Sequence, residues 1–136
     1  MADGFVTPAK MAARSYGSGS SASGALTTNY VNKAGCSLTT TGRPVLIVAQ
    51  IGVLLENTSE TSAVVSMLMT RPSVTVLLRE EWKTVSSGTV SSENRNLCFC
   101  VLDVPPVGST TYTFSAKKDS SADSSMLSVN LFAVEL

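Results

Sequence analysis

The chain has 136 residues, 10 basic and 10 acidic, with a formal net charge of zero and no histidine. Without imidazole it cannot build a Ser-His-Asp or Cys-His nucleophile, a His-ligated zinc or a histidine pH switch, and without a cationic excess it lacks the field that drives nucleic-acid binding. At 43% apolar and 15% charged it is too apolar for disorder and too poor in Lys and Glu for a helical bundle.

In chain order, the first segment carries no charged region followed by an apolar run, so no secretory leader is read there. Thr7 suits an N-cap and Pro8 a first helical position, and residues 9–14 favour a short helical turn. The tract from Ser15 to Gly24 is of the flexible Gly/Ser linker type. Residues 1–25 are therefore expected to form an arm, with residues 26–136 as the folded domain. In the arm, Phe5, Val6, Pro8 and Met11 are the apolar residues available to grip a partner surface.

From Leu26 onward the pattern is β. Strands are predicted at 30–31, 36–40, 45–55, 63–69, 74–78, 82–85, 97–104, 111–116 and 127–134, all rich in Val, Ile, Thr and aromatics. Turn residues separate them, among them Thr41-Gly42-Arg43-Pro44, Arg71-Pro72-Ser73 and Pro105-Pro106-Val107-Gly108. This spacing predicts an all-β fold: one jelly-roll sandwich of about eight strands behind a short N-terminal arm. Tyr112 and Phe114 alternate with polar residues and are expected in the core, while Trp82 stands among charges.

Three segments do not alternate: Val45-Leu46-Ile47-Val48-Ala49, Val64-Val65-Ser66-Met67-Leu68-Met69 and Leu97-Cys98-Phe99-Cys100-Val101-Leu102. Each is apolar on both faces, so something must cover the second face. With no long helix in the chain, another copy is the economical cover. A homo-oligomer is expected, with Val48, Met67 and Met69 at its interface. Cys36, Cys98 and Cys100 are an odd number and suggest no disulfide framework; the last two should share a face and are expected as small buried hydrophobes.

Candidates for chemistry are few. Glu80 and Glu81 are adjacent, so on a strand they face opposite sides and form no acid/base pair; a solvated edge is expected for them. Asp119 and Asp123 fall in a Ser-rich loop, expected to be solvated, and Asn57-Thr58-Ser59 matches a glycosylation sequon without a secretory context. No phosphate loop, metal cluster or nucleophile elbow is present, and no cofactor or metal is expected. No enzyme activity, nucleic-acid partner or membrane partner is expected.

Several segments carry a resemblance. Leu38-Thr39-Thr40-Thr41-Gly42-Arg43-Pro44-Val45-Leu46, Val74-Thr75-Val76-Leu77-Leu78-Arg79, the run from Leu102 to Phe114 and the ending Leu127-Ser128-Val129-Asn130-Leu131-Phe132-Ala133-Val134-Glu135-Leu136 resemble the C-terminal knob domains of tailed-phage fibres and related virion proteins. Gly4-Phe5-Val6-Thr7-Pro8-Ala9-Lys10-Met11-Ala12 is similar to the stretch that precedes such knobs. The resemblance implies a jelly roll of the C1q and tumour-necrosis-factor type, assembled as a homotrimer on the exterior of a phage particle. It also implies that the terminal strand lines the threefold axis, which brings Leu131 and Val134 into the interface. The shaft that precedes fibre knobs has no counterpart here, so the arm is expected to attach the trimer to a major capsid protein as a decorating or cementing subunit. The alternative is a receptor-binding fibre tip that meets host surface glycan through loops at 56–62, 86–96 and 118–125.

Overall fold

β-Branched and aromatic residues at every second position leave strands as the favourable local structure, and strands make up nearly all of the molecule. The computed structural model describes residues 15–21, 24–57, 63–83, 91–119 and 124–136. The elements are β1 (Tyr16–Ser21), β2 (Gly24–Ala25), β3 (Val31–Thr40), β4 (Val45–Asn57), β5 (Ala63–Arg71), β6 (Val74–Lys83), β7 (Ser91–Asp103), β8 (Gly108–Lys118) and β9 (Ser125–Glu135). No helix occurs among the described residues.

All pairings are antiparallel. One sheet runs β1-β9-β4-β7, with the two-residue β2 also on β9; the other runs β3-β8-β5-β6. With β2 set aside, successive strands alternate between the sheets except at the β5–β6 hairpin, and the first and last long strands pair. That is the doubly wound Greek-key order of a jelly roll. The chain is an all-β jelly-roll sandwich, as its turn spacing predicts.

Alternate residues of each long strand point between the sheets. Val45, Ile47, Ala49, Ile51, Val53 and Leu55 of β4, with Val129, Leu131 and Ala133 of β9, face Val65, Met67 and Met69 of β5 and Tyr112, Phe114 and Ala116 of β8. Tyr112 and Phe114 are fully buried, as expected from their alternation. At roughly 1.5–3 kcal/mol for each large side chain removed from water, this layer is the main stabilising term.

Several expectations need correction. The Gly/Ser tract is not a linker: Tyr16–Ser21 forms β1, paired along its length with β9. The sandwich therefore begins about ten residues ahead of Leu26. The charged run Arg79-Glu80-Glu81 does not divide two strands either; it lies inside β6. Glu81 is no solvated edge residue. It is buried at the open side between β6 and β7, with Arg79 Nε at 2.8 Å and Arg95 Nη1 at 2.9 Å. The Arg79 guanidinium also stands 5.0 Å over the Phe99 ring, so an ion network closes the side where the two edge strands approach.

The two poles differ. The β3–β4 connection, the Pro72-Ser73 hairpin turn, residues 104–107 and both ends of the described chain gather at one pole, where Glu135 N–H donates to the Ser15 carbonyl at 3.0 Å. The ends of β4, β6 and β8 and the starts of β5, β7 and β9 lie at the other pole.

Candidate assembly surface

Strand register decides which side chains share the outer face of the β1-β9-β4-β7 sheet. Tyr16, Val134, Leu46 and Leu102 align across it in one row. Ser18, Phe132, Val48 and Cys100 form the next, and Ser20, Asn130, Gln50 and Cys98 the third. No charged side chain stands in these three rows. Depletion of charge together with exposed aromatic and aliphatic groups is the compositional mark of an interface core.

Exposure confirms that nothing in the described chain covers this face. Tyr16 is 67% exposed, Leu102 60% and Phe132 42%. Tyr16 and Phe132 stack with ring centroids 6.1 Å apart, which gives the patch a flat aromatic edge. Beside them a shallow depression of about 620 Å³ runs along Ser18, Ser20, Val48, Gln50 and Asn130. The outer face of the second sheet is mixed: Lys117, Ser66 and Glu80 share one row and Thr113, Thr70 and Thr75 another, while the exposed Leu78 and Trp82 stand between and beside them.

The predicted interface residues fall into two groups. Val48 and Val134 lie on the apolar outer face. Met67, Met69 and Leu131 do not: each is 1% exposed and packs in the chain's own core. Their assignment to a subunit interface is corrected, because residues of one apolar run alternate between the two faces and these three take the inner one. Cys98 and Cys100 do share a face, but they are exposed, not buried; Cys36 is the buried thiol, and burial pushes its pKa up to about 11. Phe5, Val6, Pro8 and Met11 lie outside the described residues, as do Asp123 and most of the loops considered for glycan.

Sequence reasoning missed the groups that lock the pole where the chain enters. Arg71 Nε donates to Asp103 Oδ2 at 2.6 Å, and the buried Tyr112 hydroxyl donates to the same oxygen at 2.8 Å. These residues sit on β5, β7 and β8, so the cluster ties one sheet to the other. Burial acts to raise the Asp103 pKa, but the hydrogen bonds from Arg71 and Tyr112 outweigh it and hold the carboxyl below its ordinary range. Close by, Glu135 accepts from the Thr41 hydroxyl and from Thr41 N–H at 2.7 Å, which lowers its pKa as well. Only the pairing across the fold, invisible in a linear pattern, brings these groups together.

No family model matches the chain, and no curated protein matches it. Among solved structures it is similar in fold to an Eiger TNF from S. frugiperda, at 10% identity and a TM-score of 0.45, covering 90% of this chain and 94% of that one. It is likewise similar to the VP2 subviral particle of infectious bursal disease virus, at 13% identity and a TM-score of 0.43, covering 90% of this chain and 33% of that one. The Gx strain of the same virus gives 13% identity and a TM-score of 0.41, with 29% of that chain covered. This chain thus spans about a third of the VP2 chains it resembles.

Proposed function

We propose that the chain is a non-enzymatic virion structural protein that works as a homotrimer and decorates or cements a phage capsid through residues ahead of β1. The observation that carries the assembly reading is the uncharged, exposed, apolar outer face of the β1-β9-β4-β7 sheet. A face of that composition on a single chain wastes apolar burial until a second surface covers it. The threefold arrangement and the capsid partner rest on the resemblance to phage knobs. Absence of histidine and a mechanism of surface burial suit assembly, not catalysis.

In mechanism, each sandwich packs its outer apolar face against a neighbour, and three N-terminal segments engage neighbouring capsid subunits together. Tethering raises their effective concentration, so weak single contacts add to a firm grip. Deleting residues 1–14 is expected to abolish binding to emptied capsids while leaving the trimer folded. Unchanged binding by the truncated protein overturns the attachment mechanism.

A second reading, a fibre tip that meets host glycan, is favoured by the separation of the poles: β1 begins at one, and the ends of β4, β6 and β8 lie at the other. Adsorption of purified trimer to host cells, with no binding to emptied capsids, identifies that case.

A further inference from the structure

The outer face of the β3-β8-β5-β6 sheet leaves one large aromatic group to solvent. Trp82, the chain's single tryptophan, is 54% exposed near the end of β6, opposite Val64 on β5. On the other side of Val64 lies Asp119, whose N–H donates to the Val64 carbonyl at 3.1 Å. The next row holds Lys117, Ser66 and Glu80, and Ser66 Oγ donates to Glu80 Oε1 at 3.5 Å. Together these side chains border an open depression of about 460 Å³.

Two details make the depression more than a wet surface. Asp119 Oδ1 is buried with no hydrogen-bond partner among the described residues, a position that costs free energy until a donor arrives. The Lys117 ammonium is held 4.8 Å over the Tyr30 ring and keeps its remaining donor capacity in the same depression. An exposed indole face, two carboxylate acceptors, an ammonium donor and a hydroxyl are the groups that a sugar ring satisfies. Its C–H face covers an aromatic ring, and its vicinal hydroxyls both donate and accept.

We propose that this depression binds a neutral saccharide, with one sugar ring stacked on Trp82 and its hydroxyls donating to Asp119 and Glu80. Two carboxylates, Glu80 and Asp119, stand against one ammonium, Lys117, around the depression, so it carries no excess positive charge, which favours an uncharged ligand over a sialylated or phosphorylated one. The site does not rest on the trimer or on capsid attachment, since it lies on the opposite sheet.

Because Trp82 is the only tryptophan, intrinsic fluorescence of the full chain reads this site alone. Titration with maltotriose, mannotriose, chitotriose and a galactose disaccharide is expected to give a saturable change in tryptophan emission with at least one of them. Calorimetry with that sugar should then show about tenfold weaker binding for Trp82→Ala, near-native binding for Trp82→Phe, and weakening for Asp119→Asn. Light scattering on each variant confirms that the fold and assembly are kept. Absence of binding across the panel overturns the proposal, as does binding that Trp82→Ala leaves unchanged or binding confined to acidic sugars.

Discussion

A Cβ placed on Gly19 would stand 1.9 Å from the carbonyl oxygen of Gly35, and one on Gly17 would stand 2.3 Å from that of Ser37. Backbone therefore lies against backbone where β1 crosses β3, and this contact closes one side of the sandwich. Glycine is required at both positions for lack of space, not for flexibility. Gly19→Ala is expected to destabilise the domain by roughly 1–3 kcal/mol, the usual cost of overpacking. Ser20→Ala, on the exposed side of the same strand, should be close to neutral. Urea unfolding of the two variants tests this; equal midpoints would show that β1 is dispensable.

The same contact explains what the sequence hid. Gly and Ser at these positions match the composition of a mobile linker, and only pairing with β9, under the close approach of β3, turns them into a strand. Elsewhere runs rich in Val, Ile, Thr and other apolar residues, bounded by turn residues, were sufficient to mark β4, β5, β8 and β9 to within a few residues. Of the two-faced runs, those of β4 and β7 lie in the sheet with the exposed apolar face, whereas Met67 and Met69 of β5 point into the chain's own core. Apolar character on both faces says that both are covered or central, and register alone tells which face is inside. Trp82 and Asp119 are 37 residues apart in the chain, so no local motif could pair them.

The Asp103 cluster predicts the effect of a single oxygen. Tyr112→Phe removes a buried hydroxyl that donates to Asp103 while leaving the ring volume in the core. The expected loss is about 1.5–3 kcal/mol, that of one hydrogen bond to a charged acceptor. Tyr112→Ala should cost about 3–5 kcal/mol through the cavity it leaves. A phenylalanine variant as unstable as the alanine one would assign the residue's role to something other than packing plus one hydrogen bond.

Acid lability follows from the two depressed carboxyls. Asp103 and Glu135 have folded pKa values below their unfolded values of roughly 3.9 and 4.3. A depressed carboxyl contributes stability that is fully present above its unfolded pKa and is lost as pH falls through the folded one. The urea midpoint should therefore stay flat from neutrality to about pH 5 and decline below about pH 4. In Asp103→Asn the plateau should be lower and the decline shallower. A decline of the same steepness in that variant would remove Asp103 from the explanation.

If the uncharged face is the subunit interface, one buried charge should break it. Phe132 is 42% exposed on β9 and contributes nothing to the core, so Phe132→Asp should leave the sandwich folded. Light scattering is expected to give the monomer mass of 14.2 kDa for this variant and a threefold multiple for the parent chain. A parent chain that is itself monomeric refutes the reading of the face.

The three cysteines supply an independent check on the same surface. Cys98 and Cys100 lie on the outer face in the rows that hold Gln50 and Val48, whereas Cys36 is buried with its thiol pKa pushed up to about 11. Thiolate is the reactive form, so Cys36 should react with a disulfide reagent only on unfolding. In the folded Phe132→Asp monomer, two thiols should titrate quickly. In the parent assembly the same two should be slowed, because the neighbouring copy covers them, and dilution that dissociates the trimer should restore the fast phase. Two fast thiols in an intact trimer would place the interface elsewhere, since no copy could then be seated over β7.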